Sequence, residues 1–248
     1  MPKQRAEKKG SRTSGIKPAL EELGRASRIL ALEGHNDISL GHVSMRDPLG
    51  RGVWIKRAHI GLEEVSEKDF LRVDFDGRVL EGQGACHVEW PIHTEILRAR
   101  PDINYVGHTH ADYVTMISCL KEELHPYSHA AIFLQSLPPP RFMDTSELIM
   151  TPELGARLAT CLGQAECILV RNHGCCFVGR TAAELCVTGV LLRRACQLHV
   201  TLAQTGRETL WPDDGEVNRK RQTLRGAKLL ESYWQYYNRT LKRAEKRR

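Results

Sequence analysis

Two short apolar runs, Cys167–Val170 and Cys175–Val178, are separated only by a turn through Asn172-His173-Gly174. Neither run is long enough for a helix, so the pair reads as a β-hairpin. A second hairpin is expected where Phe70–Phe75 alternates and Asp76-Gly77 turns the chain into Arg78–Leu80. Shorter strands are expected at Val43, Val53–Ile55, Tyr105–Thr109 and Ile132–Leu134. A chain that mixes such hairpins with helices cannot form a purely parallel sheet. The fold class it implies is α/β, with helices layered on a mixed sheet.

The helices have local signals of their own. Leu20, Leu23, Ser27 and Leu30 trace one stripe of a helix from Pro18 to Glu33, with Gly34 as its stop. Pro91 opens a second helix that ends before Pro101, because its fixed φ suits the first helical position. Further helices are expected at Ala111–Leu120 and from Thr151-Pro152-Glu153 to Gly163. Another is expected after Thr181, where Glu184 completes a capping box. A last one is expected from Asp214 to Arg239.

Length and charge limit the organisation. A chain of 248 residues can bury a sizeable core, and no composition shift marks a linker. We read a single domain over residues 18–240, a basic disordered tail at 1–17 and a basic tail at 241–248. Residues 1–17 and 239–248 each hold six Lys/Arg against one Glu, so the net charge of +6 resides at the ends and the body is acidic. With aromatics at 6%, that distribution argues against a nucleic-acid face. No apolar stretch of about 18 residues suggests a membrane helix. No apolar segment follows the first charges, so no secretory signal is expected. The eight cysteines include no CxxC pair and read as reduced thiols, which fits a cytoplasmic protein.

Three pieces point to chemistry. His108-Thr109-His110 ends a predicted strand, where alternation turns both imidazoles to one side, close enough to share a metal ion. Asn172-His173-Gly174 lies on a turn after the apolar strand Ile168–Val170, where α/β proteins place their chemistry. The three histidines make a metal set with room for a carboxylate, water or chelating substrate. Glu89, beside Trp90 at a helix entry, would be partly desolvated and suited to acid/base work. Taken one at a time, each piece also has a plain reading, as surface or core histidines and a capping carboxylate.

In order, these pieces resemble the class II aldolase and adducin family. The matching stretches are Gly41–Arg46, Val88–His93, Val106–Ala111 and Ile168–Gly174, within a resemblance covering roughly residues 18–205. The resemblance implies a three-layer α/β/α fold with a central, mainly antiparallel sheet, and a homotetramer with sites between subunits. It implies that His108, His110 and His173 bind one divalent metal ion per subunit, Zn or Mn with Fe or Co as alternatives. It implies Glu89 as the acid/base. The adducin branch of the family is a non-enzymatic scaffold that lacks the metal set.

Departures from the sugar-phosphate members narrow the substrate. Where they carry Gly-Asn-x-Ser, this chain has Gly41-His42-Val43-Ser44. Their Thr-Pro-Ser-Gly loop is replaced by Gly61-Leu62-Glu63-Glu64, and Ser-Ser before the glutamate by His87-Val88. Two carboxylates would repel a phosphate. His42, Ser44 and His87 are therefore expected to bind a small-molecule carboxylate or a phenolic oxygen. The Gly-His-Val-Ser start and His87–Pro91 are similar to the non-oxidative decarboxylases of aromatic breakdown, such as the 3,4-dihydroxyphthalate decarboxylases. Trp234, Tyr236 and Tyr237 would either close over a planar substrate or pack on their helix. The readings, in order, are a metal-dependent decarboxylase of a dihydroxyaromatic carboxylate or carboxylated ring-cleavage product, an aldolase for a non-phosphorylated hydroxy-oxo acid, a dehydratase or epimerase, and an adducin-like scaffold.

Overall fold

The computed structural model describes residues 15–247. Its centre is an eight-stranded sheet. The strands are β1 (His42–Arg46), β2 (Val53–Lys56), β3 (Phe70–Val73), β4 (Val79–Glu81), β5 (Tyr105–Thr109), β6 (Arg141–Phe142), β7 (Cys167–Val170) and β8 (Gly174–Gly179). They lie in the order β4-β3-β2-β1-β5-β8-β7-β6. Every neighbouring pair is antiparallel except β6 beside β7. Both expected hairpins are present, and the sheet is mainly antiparallel as anticipated.

Alternation along the strands feeds two cores, one on each face. Val43, Met45, Cys175 and Phe177 pack with α1 (Lys17–Leu30) and α6 (Ala182–Ala203). That layer also holds α3 (Asp112–Cys119), α4 (His129–Phe133) and α8 (Ala227–Glu245). Val53, Ile55, Val106, Ile168, Cys176 and Val178 pack on the opposite face, against Ile92 and Ile96 of α2 (Trp90–Ala99) and Leu158 of α5 (Pro152–Leu162). The result is three layers, α/β/α. Gly155 lets the first turn of α5 seat on the first turn of α2, because a Cβ there would lie 2.7 Å from the Pro91 carbonyl oxygen.

Several expected elements differ. Ile132–Leu134 is not a strand. Ser128 caps a short helix by accepting from the Ala131 N–H, and Ile132 and Phe133 lie on that helix. The C-terminal helix is two, α7 (Asp214–Leu224) and α8, broken at Arg225-Gly226. Arg225 turns inward there, donating to the Phe133 carbonyl and pairing with Glu166 at 2.6 Å. The first helix passes into a π turn at Ala31 and stops at Gly34 as expected, where a left-handed backbone (φ 89°) breaks the helical run before His35. The predicted tail at 241–248 is a continuation of α8 as far as Glu245, because Leu241 is buried against the core. At the other end Lys17 already belongs to α1, and the rest of the predicted tail, 1–14, lies outside the described residues. Among the described residues no helix is long and apolar enough to cross a membrane. All eight cysteines are free thiols, five of them buried.

Candidate metal centre

β5 carries His108 near its C-terminal end and is followed directly by His110. Alternation sends both toward the face covered by α2, and Thr109 toward the other. The β7–β8 turn brings in His173. Gly174 lets that turn approach β5, since a Cβ there would sit 2.4 Å from the Thr109 carbonyl oxygen. Glu89 occupies the N-cap position of α2, which Pro91 starts within its first turn. The ligand atoms of Glu89, His108, His110 and His173 all lie within 4.8 Å of one another.

The hydrogen bonds around this cluster decide where the lone pairs point. His108 Nδ1 lies 3.0 Å from the Cys175 carbonyl oxygen, which can only accept, so Nδ1 carries the proton. His110 Nδ1 lies 2.8 Å from Asp37 Oδ2 and likewise donates. Each neutral ring therefore presents an Nε2 lone pair, and the two Nε2 atoms are 3.0 Å apart. Two facing lone pairs repel unless a cation lies against both. His173 adds a further sign: both its ring nitrogens are buried and without a partner. The donor set of three imidazoles and a carboxylate fits Zn, Mn, Fe or Co. The Asp37–His110 contact is the carboxylate partner that such ligands usually have.

Glu89 has two unlike oxygens. Oε1 accepts from the Ile149 N–H at 2.8 Å and is thereby tethered. Oε2 faces the imidazoles, 3.6 Å from His108 Nε2 and 3.7 Å from His173 Nε2. Burial pushes the Glu89 carboxyl above its usual range, and the Ile149 N–H offsets part of that. Burial also lowers His173 to about 4, and holds His108 well below the ordinary value together with the neighbouring imidazoles. Neutral imidazoles are the form that binds metal.

The expected substrate residues separate into two groups. His42 is the Cα partner of His108 across β1 and β5, and its Nε2 lies 4.0 Å from Glu89 Oε2. His87 packs beside it, with ring centroids 4.3 Å apart, and its buried Nε2 has no partner. Ser44 does not face the site. It is fully buried with its hydroxyl 2.7 Å from His93 Nδ1, so it acts behind the wall and cannot touch a substrate. His93, one helical turn beyond Glu89 on α2, is 2.6 Å from His42 Nδ1. Of the three C-terminal aromatics, Trp234 and Tyr237 are buried in the α1/α6 core while Tyr236 is half exposed.

Three neighbours of the cluster were given no role in the sequence. Asp37 looks like an ordinary polar residue until the fold joins it to His110, and His93, which closes the matching stretch Val88–His93, gains a partner only when the fold brings it to His42. His35 is the third. The π turn delivers its Nδ1 to 2.8 Å from Thr109 Oγ1, while Nε2 donates to the Gly189 carbonyl. Thr109 stands between the two strand histidines, so His35 fixes the strand from behind. The Gly61–Glu64 turn is closed by its own acid: the Gly61 N–H donates to Glu64 Oε2 at 2.6 Å.

Residues 21–200 match the Class II Aldolase and Adducin N-terminal domain. The chain belongs to this family. It is 28% identical over 193 residues to a putative aldolase class 2 protein of Caulobacter vibrioides, covering 76% of this chain and 74% of that one. It is 31% identical over 172 residues to the 3,4-dihydroxyphthalate decarboxylase of Arthrobacter keyseri, covering 63% and 67%. Among solved structures, the L-fuculose 1-phosphate aldolase of Glaciozyma antarctica superposes with a TM-score of 0.82 at 20% identity, over 98% of this chain and 96% of that one. The chain thus shares its fold with a sugar-phosphate aldolase, and 28–31% of the aligned residues with a putative aldolase and a decarboxylase.

Proposed function

We propose that the protein is a divalent-metal-dependent carbon–carbon lyase that removes CO2 from a dihydroxyaromatic carboxylate or a carboxylated ring-cleavage product. The observation that carries this reading is Glu89. One oxygen is tethered by a backbone amide, and the other is free, desolvated and aimed at the three-histidine cluster. His108, His110 and His173 would hold the ion, Zn or Mn in the first instance. The bound ion supplies a Lewis acid for a substrate oxygen next to the breaking bond.

The chain's own groups do the rest. The carbon–carboxylate bond breaks, CO2 leaves, and its electron pair stays on the ring or chain carbon. Glu89 Oε2, on a carboxyl that burial pushes above its usual range, would give a proton to that carbon and become a carboxylate. Solvent restores the proton. His42 and His87 line the approach to Glu89 and suit an oxygen-rich, unphosphorylated group. The Gly61 loop supports the absence of phosphate, because its amide is already taken by Glu64. The decarboxylase relative supports the reaction type. We take the assembly to be a cytoplasmic homotetramer.

A second reading is aldol cleavage of a non-phosphorylated hydroxy-oxo acid, which the same Glu89 geometry would serve. The two are separated by loading the protein with Zn or Mn and offering dihydroxyaromatic carboxylates and carboxylated hydroxymuconic semialdehydes. CO2 without pyruvate supports the decarboxylase. Pyruvate or aldehyde without CO2 overturns it.

A further inference from the structure

The wall behind Glu89 holds a chain of hydrogen bonds whose direction is forced. Ser44 Oγ is fully buried, and its partner is His93 Nδ1 at 2.7 Å. A hydroxyl has one proton to place. If the Ser44 hydroxyl only accepted, its O–H would be left unpaired inside the protein, so it donates to Nδ1. His93 is fully buried with no carboxylate in contact and is neutral, so its proton is on Nε2. That N–H donates to His42 Nδ1 at 2.6 Å. His42, buried as deeply, must then carry its own proton on Nε2, the atom that looks toward Glu89 Oε2 across 4.0 Å.

We propose that His93 is a positioning residue: with Ser44 behind it, it fixes His42 as the Nε2–H tautomer, so that His42 offers a hydrogen-bond donor beside Glu89 rather than a lone pair. This deepens the reading of Glu89 as proton donor and rests on it for its catalytic meaning. The gap of 4.0 Å is too long for a direct bond but leaves His42 free to donate to a substrate oxygen there. The group at that corner must be an acceptor, which selects a carboxylate or phenolate over an ammonium group. Ser44 and His93 read the substrate without touching it.

The test is the protonation pattern of the His42 ring by nitrogen-15 NMR in zinc-loaded protein, with the signal assigned through its loss in His42→Gln. No substrate is needed. The expected result is a protonated Nε2 and an unprotonated Nδ1 in the unaltered chain. In Ser44→Ala and His93→Leu, with zinc content unchanged, that pattern becomes mixed. On a substrate identified by CO2 release, kcat then falls about 10- to 100-fold, the range for partners of active-site groups. His93→Gln, which keeps an N–H for His42, recovers part of both. A protonated Nδ1 in the unaltered chain overturns the proposal, as does an unchanged pattern in both variants. If His93→Leu does not fold, Ser44→Ala and the unaltered chain still decide. If instead Glu89→Gln keeps full turnover while His42 shows the expected pattern, the Glu89 reading fails and the tautomer assignment stands.

Discussion

Asp37 Oδ2 lies 2.8 Å from His110 Nδ1, and this contact turns the opposite nitrogen of the ring toward His108. The two residues stand 73 positions apart, yet the carboxylate fixes the tautomer of the ring proposed to hold the ion. Asp37→Asn removes the charge, and Asp37→Ala removes the acceptor as well. Zinc affinity, measured by competition with a chromogenic chelator, is expected to fall about 10- to 100-fold in the alanine variant and less in the asparagine one. Unchanged affinity in both would remove Asp37 from the centre.

Glu89→Gln replaces the free carboxyl oxygen with an amide while the other oxygen can still accept from Ile149. Metal content should therefore persist. CO2 release should fall by about 10²- to 10⁴-fold, the usual contribution of a positioned acid. Metal analysis and headspace CO2 on the same sample check both halves.

The metal-free protein should lose stability in mild acid. Burial lowers His35 to about 4 and His93 to about 3, against an ordinary value of 6.5, and lowers His173 to about 4. The unfolded chain therefore binds more protons than the folded one between these values and 6.5. Stability is fully present above about pH 6.5 and is lost as pH falls through that window; His35 alone is worth on the order of 3 kcal/mol. Thermal melts of chelator-treated protein at pH 7.5, 6 and 5 should give a falling Tm. A flat profile would mean that these rings are not buried neutral.

Leu241→Ala reports on the C-terminal helix. Leu241 is 6% exposed, so truncation should cost about 2–5 kcal/mol and move the denaturant midpoint without changing the m-value. A silent substitution would restore the reading of 241–248 as a solvated tail.

The parts of the site that repeat at short range were legible in the sequence. Alternation aimed His108 and His110 the same way, the Gly-bearing turn marked His173, and the proline marked the helix behind Glu89. What the sequence hid depends on register between distant segments. Ser44 sits two residues from His42 and shares its face, but α2 covers that stretch of β1, so the hydroxyl meets His93 instead of solvent. The π turn that brings in His35 and leads to Asp37 has no periodic signature. Ile132–Leu134 misled because three consecutive apolar residues suit either a strand or a buried helical turn, and the cap at Ser128 tipped it. The break at Gly226 was masked by an otherwise continuous helical pattern.

Glu89 and His93 lie one turn apart on the same end of α2, and that end rests on Gly155 of α5. The proposed proton donor and the ring proposed to set its neighbour's tautomer are thus mounted on a single rigid shaft, and its bearing lies on the outer layer. Any shift of α5 against α2 would move both groups together relative to the histidines of the sheet. The alignment of the centre can thereby be adjusted by substitutions in a helix that contributes no ligand to it, and selection for a new substrate could proceed there without disturbing the ion.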